Sequence, residues 1–129
     1  MRIFGLAICA ATVCAAHAAA AAARFERSLK MLAPTERLEQ LCDYTAMTHI
    51  RKDAGHYRPD RAIANAGGVV KIKNNTIEAG TAAFRSRGKW YSFSYTCSAS
   101  PDHLQVLSFH YTIGKEIPAS KWATLGLWD

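Results

Sequence analysis

Between Trp90 and Cys97 the residues alternate, with Tyr91, Phe93, Tyr95 and Cys97 on one face and Trp90, Ser92, Ser94 and Thr96 on the other. A period of two rich in aromatic and β-branched residues is the signature of a half-buried strand. The run Leu104–Ile113 alternates as well: Leu107, Phe109, Tyr111 and Ile113 share one face, and Ser108, His110 and Thr112 share the other. If the loop Ser98–His103 joins the two strands, Tyr95 is expected opposite Leu107, Phe93 opposite Phe109 and Tyr91 opposite Tyr111. A one-residue slip would turn an aromatic row into solvent, so burial fixes the parity of the pairing. Upstream, Arg87-Gly88 is a tight-turn pair. It places Phe84 opposite Tyr91 on the core face and Arg85 opposite Trp90 on the outer face. Phe84–Ile113 therefore reads as a three-stranded antiparallel meander whose aromatic row is a sheet core.

The first 23 residues stand apart in composition. Arg2 precedes the apolar run Ile3–Cys14, and a stretch of alanines without an acid follows. This order is that of a secretory signal peptide. Cleavage fits after Ala18 or after Ala23; Ala23 is preferred because charged sequence begins at Arg24. An uncleaved anchor is the competing reading, but the run is diluted by alanine and shorter than the roughly 18 strongly apolar residues of a spanning helix. Neither Cys9 nor Cys14 follows a small residue, which argues against lipid attachment. The length suits one domain, taken as residues 24–129. The net charge of +6 loses only Arg2 with the leader, so the mature chain stays basic and suited to anionic surfaces.

Two cysteines, Cys42 and Cys97, remain after removal of the leader. An even pair in an exported chain points to one disulfide. Cys97 closes the aromatic face of its strand and Cys42 lies on the apolar stripe of a helix, so the bridge would staple helix to sheet. The chain-entropy model values such a closure at roughly 4 kcal/mol. Two buried free thiols are the alternative; a redox pair would call for C-x-x-C spacing, which is absent.

The first helix is expected over Pro34–Ala54, with Pro34 in the first turn and Gly55 left-handed after the last. Leu38, Leu41, Cys42, Thr45, Ala46 and His49 form its stripe, with His49 near the centre as a core residue. Arg24–Ala33 is a helical or irregular lead-in. Pro59 would open a short second helix through Ala64 that ends at Gly67-Gly68. Val69–Lys73 and Thr76–Ala79 make a hairpin about Asn74-Asn75, with Ile72 facing Ile77 and Lys71 facing Glu78. Gly80 is expected to break the run. Ile117–Leu125 forms a last short helix closed by Gly126, with Leu127 packing back on it.

The ordered segments ERLEQLCDYTAM, YRPDRAIA, AAFRSRGKWYSFSYTC and SPDHLQVLSFHYTIGKEIP, followed by GLW, resemble the domain of unknown function 930 family of small exported bacterial proteins. The resemblance covers Leu32 to Trp128. It implies an envelope or periplasmic location, and it carries no established activity or catalytic residue. One departure is Ala33-Pro34 where an Asp-Pro pair is expected, which weakens the helix N-cap.

The catalytic inventory is thin. No Gly-x-Ser-x-Gly, HExxH or glycine-rich phosphate loop occurs, and no zinc spacing. No cofactor or metal is called for. Asp102, His103 and His110 are the residues on which a small envelope enzyme or enzyme inhibitor could be built; a turn residue beside an exposed histidine is the favoured reading, because Pro101-Asp102 is ordinary turn chemistry. The outer sheet face is more suggestive. Lys71, Lys73, Arg85, Arg87, Lys89 and Trp90 would share it, with Arg85 stacked on Trp90; a solubilising face with one partly covered Trp is the plainer reading of the same residues. The reading is thus an α+β domain: three helical segments on one face of an antiparallel sheet of about five strands. Its expected role is that of a monomeric, non-catalytic periplasmic or secreted module. The basic face would meet an envelope protein or an anionic polymer, and export makes nucleic acid an unsuitable partner.

Overall fold

Two tight turns set the register of half the sheet. In the computed structural model, which describes residues 9–129, Asn74-Asn75 joins β2 (Val70–Lys73) to β3 (Thr76–Ser86). Arg87-Gly88 joins β3 to β4 (Lys89–Ala99). Asn74, Arg87 and Gly88 have φ of 54°, 52° and 76°. Left-handed backbone at both central residues of the second turn matches the twist of the flanking strands. The pairings follow as expected: Ile72 with Ile77, Lys71 with Glu78, Phe84 with Tyr91 and Arg85 with Trp90.

The next hairpin keeps its parity and changes its offset. β5 (Val106–Glu116) pairs Tyr95 with Tyr111, Phe93 with Ile113 and Cys97 with Phe109. The expected partners were Leu107 for Tyr95 and Phe109 for Phe93. β4 runs on to Ala99, and a longer loop closes over Ser100–Gln105. It is held by the Ser100 N–H on Gln105 O (2.8 Å) and the His103 N–H on Ser100 O (2.9 Å). The turn centre moves two residues along the chain, so the pairing shifts by four. Leu107 falls at a bulge and is 68% exposed instead of joining the aromatic row.

Pro59 opens a strand, not a second helix. β1 (Pro59–Ile63) runs antiparallel to β3 with Ala62 opposite Phe84. The Arg58 N–H donates to Ser86 Oγ (2.8 Å), and Arg51 Nη2 donates to Pro59 O (2.6 Å). These partners outweigh the weak preference of a six-residue helix, and an edge strand tolerates the missing N–H of Pro59. Gly67-Gly68 then links β1 to β2. Gly80 bends β3 without ending it: a bulge between Ala79 and Ala82 marks where the edge partner changes from β2 to β1. There the Ala66 N–H bonds Thr81 O (2.7 Å). A side chain on Gly68 would collide with Thr81. The five-stranded sheet therefore has the order β1-β3-β4-β5, with β2 beside β1 on the same edge of β3.

α2 (Pro34–Asp53) crosses one face of the sheet. Leu38, Leu41, Cys42, Ala46 and Ile50 are buried against Ile77, Phe84, Phe93 and Tyr95. The Cys42–Cys97 disulfide joins helix and sheet, with Cα atoms 6.0 Å apart. Ala33 supplies no side-chain cap. Gly55 does not take the expected left-handed conformation, since the chain leaves the helix through a turn in which the Tyr57 N–H bonds Ala54 O. His49 sits at the edge of the helix stripe rather than its centre. It is half-exposed, with its ring 5.1 Å from that of Phe109.

α1 (Cys9–Lys30) precedes this domain as one helix, as its run of alanines favours. The start of the expected leader, Met1–Ile8, lies outside the described residues. From Thr12 to Arg24 every residue is exposed. Packing begins at Phe25, whose ring lies 4.2 Å from that of Tyr44, and at Leu29, which is buried. Arg37 closes the end of α1. Its guanidinium donates to the carbonyls of Leu29, Lys30, Leu32 and Asp102 at 2.9–3.3 Å. Among the described residues no helix is long and apolar enough to cross a membrane.

The C-terminal segment covers the opposite face of the sheet, where all helical parts were expected on one side. A short 3-10 helix, Ala119–Lys121, leads into a turn closed by Gly126 (φ 72°). The Leu127 N–H reaches Trp122 O and the Gly126 N–H reaches Ala123 O, the pair of bonds of a Schellman cap. Leu127, Ile117 and Trp122 pack there with Ala83 and Trp90.

Candidate functional site on the open face of the sheet

The expected basic face is divided, and its tryptophan is covered. Trp90 is fully buried: its Nε1–H donates to Trp128 O (2.7 Å), and the Trp128 ring packs on it edge-on at 5.4 Å. Trp128 lies 38 residues downstream, beyond the reach of a local pattern. Arg85 does stand over the Trp90 ring, at 5.9 Å. Its guanidinium is held by Asp60 through a two-pronged bond of 3.0 and 2.7 Å. Those hydrogen bonds in turn hold the Asp60 carboxyl below the usual carboxylate range. Lys89 pairs with Glu116 at 3.4 Å. Arg87 is exposed at its turn, and Lys71 and Lys73 are exposed on β2. Measured along β3, Lys71 and Arg85 lie roughly 20 Å apart.

Between these two basic ends lies a groove that no helix among the described residues covers. The outer residues of β4 are Ser92, Ser94, Thr96 and Ser98; those of β5 are Ser108, His110, Thr112 and Gly114. Gly80 and the bulge of β3 flatten the floor beside Ser94. A side chain on Gly114 would collide with Ser92, so the floor stays low there. The groove holds about 660 Å³, with Ile117, Pro118 and Leu125 of the C-terminal segment as one wall and Lys115 and Lys121 at its rim. A second depression of about 320 Å³ continues it past Glu78, Thr96 and His110. A trough of hydroxyls with small residues beneath can hydrogen-bond a polyhydroxylated chain lying flat upon it.

The residues considered for catalysis do not assemble. Both ring nitrogens of His103 are engaged: Nδ1 with Pro34 O at 2.8 Å and Nε2 with Asn75 Oδ1 at 2.9 Å. Buried and left-handed, His103 latches the start of α2 to the β2–β3 turn. It is not the exposed loop histidine expected. Asp102 accepts bonds from the Ser100 hydroxyl (2.6 Å) and the Leu104 N–H (3.2 Å), and these hold its carboxyl below its ordinary range. His110 is exposed on the outer face opposite Thr96. Among the described residues no three metal-ligating side chains converge.

The hydroxyl row was present in the sequence as the alternate residues of β4 and β5. What sequence reasoning missed was that these positions stay uncovered while Trp90, on the same face, does not. A family model described as Domain of Unknown Function (DUF930) matches residues 29–127. No curated protein and no solved structure matches the chain.

Proposed function

The chain belongs to the DUF930 family, and on that footing we propose that it is an exported, non-catalytic binding module of the cell envelope. Its ligand is a linear anionic polysaccharide laid along the open face of the sheet. The observation that carries this reading is the uncovered hydroxyl floor of Ser92, Ser94, Thr96 and Thr112, with Lys115 and Lys121 on the lining of the groove and Lys71 and Lys73 exposed on β2 beyond it. Hydroxyls give many weak, directional bonds to sugar oxygens, and the lysines attract carboxylates in a salt-dependent manner. Arg85 and Lys89, each with its own carboxylate partner, serve the fold before they serve a ligand. Export is supported by the leader-like composition before Arg24, by the exposure of Thr12–Arg24, and by the disulfide.

The test is co-sedimentation or calorimetry with alginate, against neutral dextran as control. Alginate binding is expected to weaken as salt rises. Lys71→Glu with Lys73→Glu, and separately Ser94→Trp, should each reduce it about tenfold or more while leaving the fold intact. Full retention by both variants, or equal binding of dextran, contradicts the assignment.

A further inference from the structure

At the β1–β2 edge of the sheet, between α2 and the C-terminal tail, lies a cleft of about 740 Å³. One wall is the turn of α2 that carries Glu39 and Asp43. The other is apolar, built by Ile63, Val70 and Ile72, and Trp128 closes the end. Apolar groups remain in water here: Val69 is 80% exposed, Trp128 47% and Ile72 40%. A cluster of exposed apolar groups about a cavity marks a binding surface more often than a lone exposed residue does.

The acidic wall lacks a counter-ion. Asp43 Oδ1 accepts the Tyr95 hydroxyl at 3.1 Å, and no ion pair among the described residues includes Asp43 or Glu39. Burial pushes the Asp43 carboxyl up to about 7, against the pull of the Tyr95 bond and with help from the charge of Glu39 one turn away. Burial, then Asp43, raises the Tyr95 hydroxyl as well, so it stays a donor. A half-sheltered carboxylate with no cation beside it gains most from a ligand that brings one.

We propose that this cleft binds a protonated amine carried on an apolar chain. The ammonium sits at Asp43 and Glu39, and the chain lies along Ile63, Val70 and Ile72 toward Trp128. An anionic amphiphile would meet two carboxyl groups, and a purely polar cation would leave the apolar wall in water. Trp128, at the far end of the cleft, offers apolar surface to the end of the chain. The site is separate from the hydroxyl trough, and its charge preference is opposite.

Binding is coupled to a proton. The titratable groups facing Asp43 are Glu39 from α2 and Tyr95 from β4; the β1–β2 wall and the tail contribute none to the lining. The ammonium favours the ionised carboxyl, so the Asp43 proton leaves as the ligand enters. Affinity therefore rises with pH through the Asp43 transition and levels off above it.

The probe is n-octylammonium chloride, titrated calorimetrically into the full chain at about pH 6 and about pH 8, with octanoate and 1-octanol as comparators. The expected result is octylammonium binding about tenfold tighter at the higher pH, weaker octanol binding and no octanoate binding. Asp43→Asn, which keeps an acceptor for Tyr95, should lower octylammonium affinity about tenfold and flatten the pH profile. Glu39→Gln, on the helix surface, should weaken binding and keep the profile. The proposal is overturned by absent binding, by octanol binding equal to octylammonium, by a flat wild-type profile, or by an Asp43→Asn protein that folds and binds unchanged.

Discussion

Asp43 is held where its charge is least welcome, and its effect on stability has a definite sign. The folded carboxyl titrates near 7, against an ordinary value of 3.8, because burial disfavours the ion. The native state therefore binds the proton more tightly than the unfolded chain does. The stability this provides is complete below about pH 4 and is lost as pH rises to about 7. Asp43→Asn should be close to neutral at acid pH and stabilising above neutrality, by about 1–2 kcal/mol once partial exposure is allowed for. Denaturant melts of both proteins across that range check this. A constant difference, or a wild type that gains stability on ionisation, would contradict it. Asp43 is also a residue the sequence half revealed: it lies next to Cys42 on the helix stripe, but periodicity treats an acid there as surface. His103 shows the same limit from the other side. Its loop position reads as exposed, and only the return of the β4–β5 loop to Pro34 buries it.

At the scale of elements, legibility follows loop length. The Asn74-Asn75 and Arg87-Gly88 turns leave the strands no freedom, so the β2–β3 and β3–β4 registers could be read from residue type alone. The six residues Ser100–Gln105 leave the β4–β5 offset to packing, and only the parity is encoded by the aromatics. The segment Pro59–Ala64 has no alternation of its own; its strand exists because β3 offers an edge. The tail is the clearest case of a distant element deciding a site. It takes Trp90 out of the outer face and leaves the neighbouring hydroxyls bare. Deleting Leu127–Asp129 removes a buried leucine and the carbonyl that receives the Trp90 Nε1–H. It should cost about 2–4 kcal/mol and shift the remaining tryptophan emission to the red. Unchanged emission with unchanged stability would show that the tail does not hold Trp90.

For the whole molecule, one covalent bond ties the helix layer to the sheet. The staple closes a loop of 55 positions, and α2 otherwise meets the sheet through apolar contacts and single hydrogen bonds such as those of Tyr95 to Asp43 and Tyr111 to Asp53. Reduction should lower the melting temperature by roughly 10 °C or more, and the native protein should yield no alkylation at Cys42 or Cys97. Two modifiable thiols at these positions in the native state would contradict the account. The disulfide was legible because two cysteines fell on facing apolar positions of helix and strand. Which side of the sheet stays open was not, since it depends on where the C-terminal segment lands. That open side is the central claim here. It is tested most directly by backbone NMR of the isotope-labelled domain titrated with alginate oligosaccharides. The account predicts shift changes at Gly80, Ser92, Ser94, Thr96, Thr112 and Gly114, with smaller ones at the lysine ends. Shifts confined to α2 and its cleft, or none at all, would contradict it.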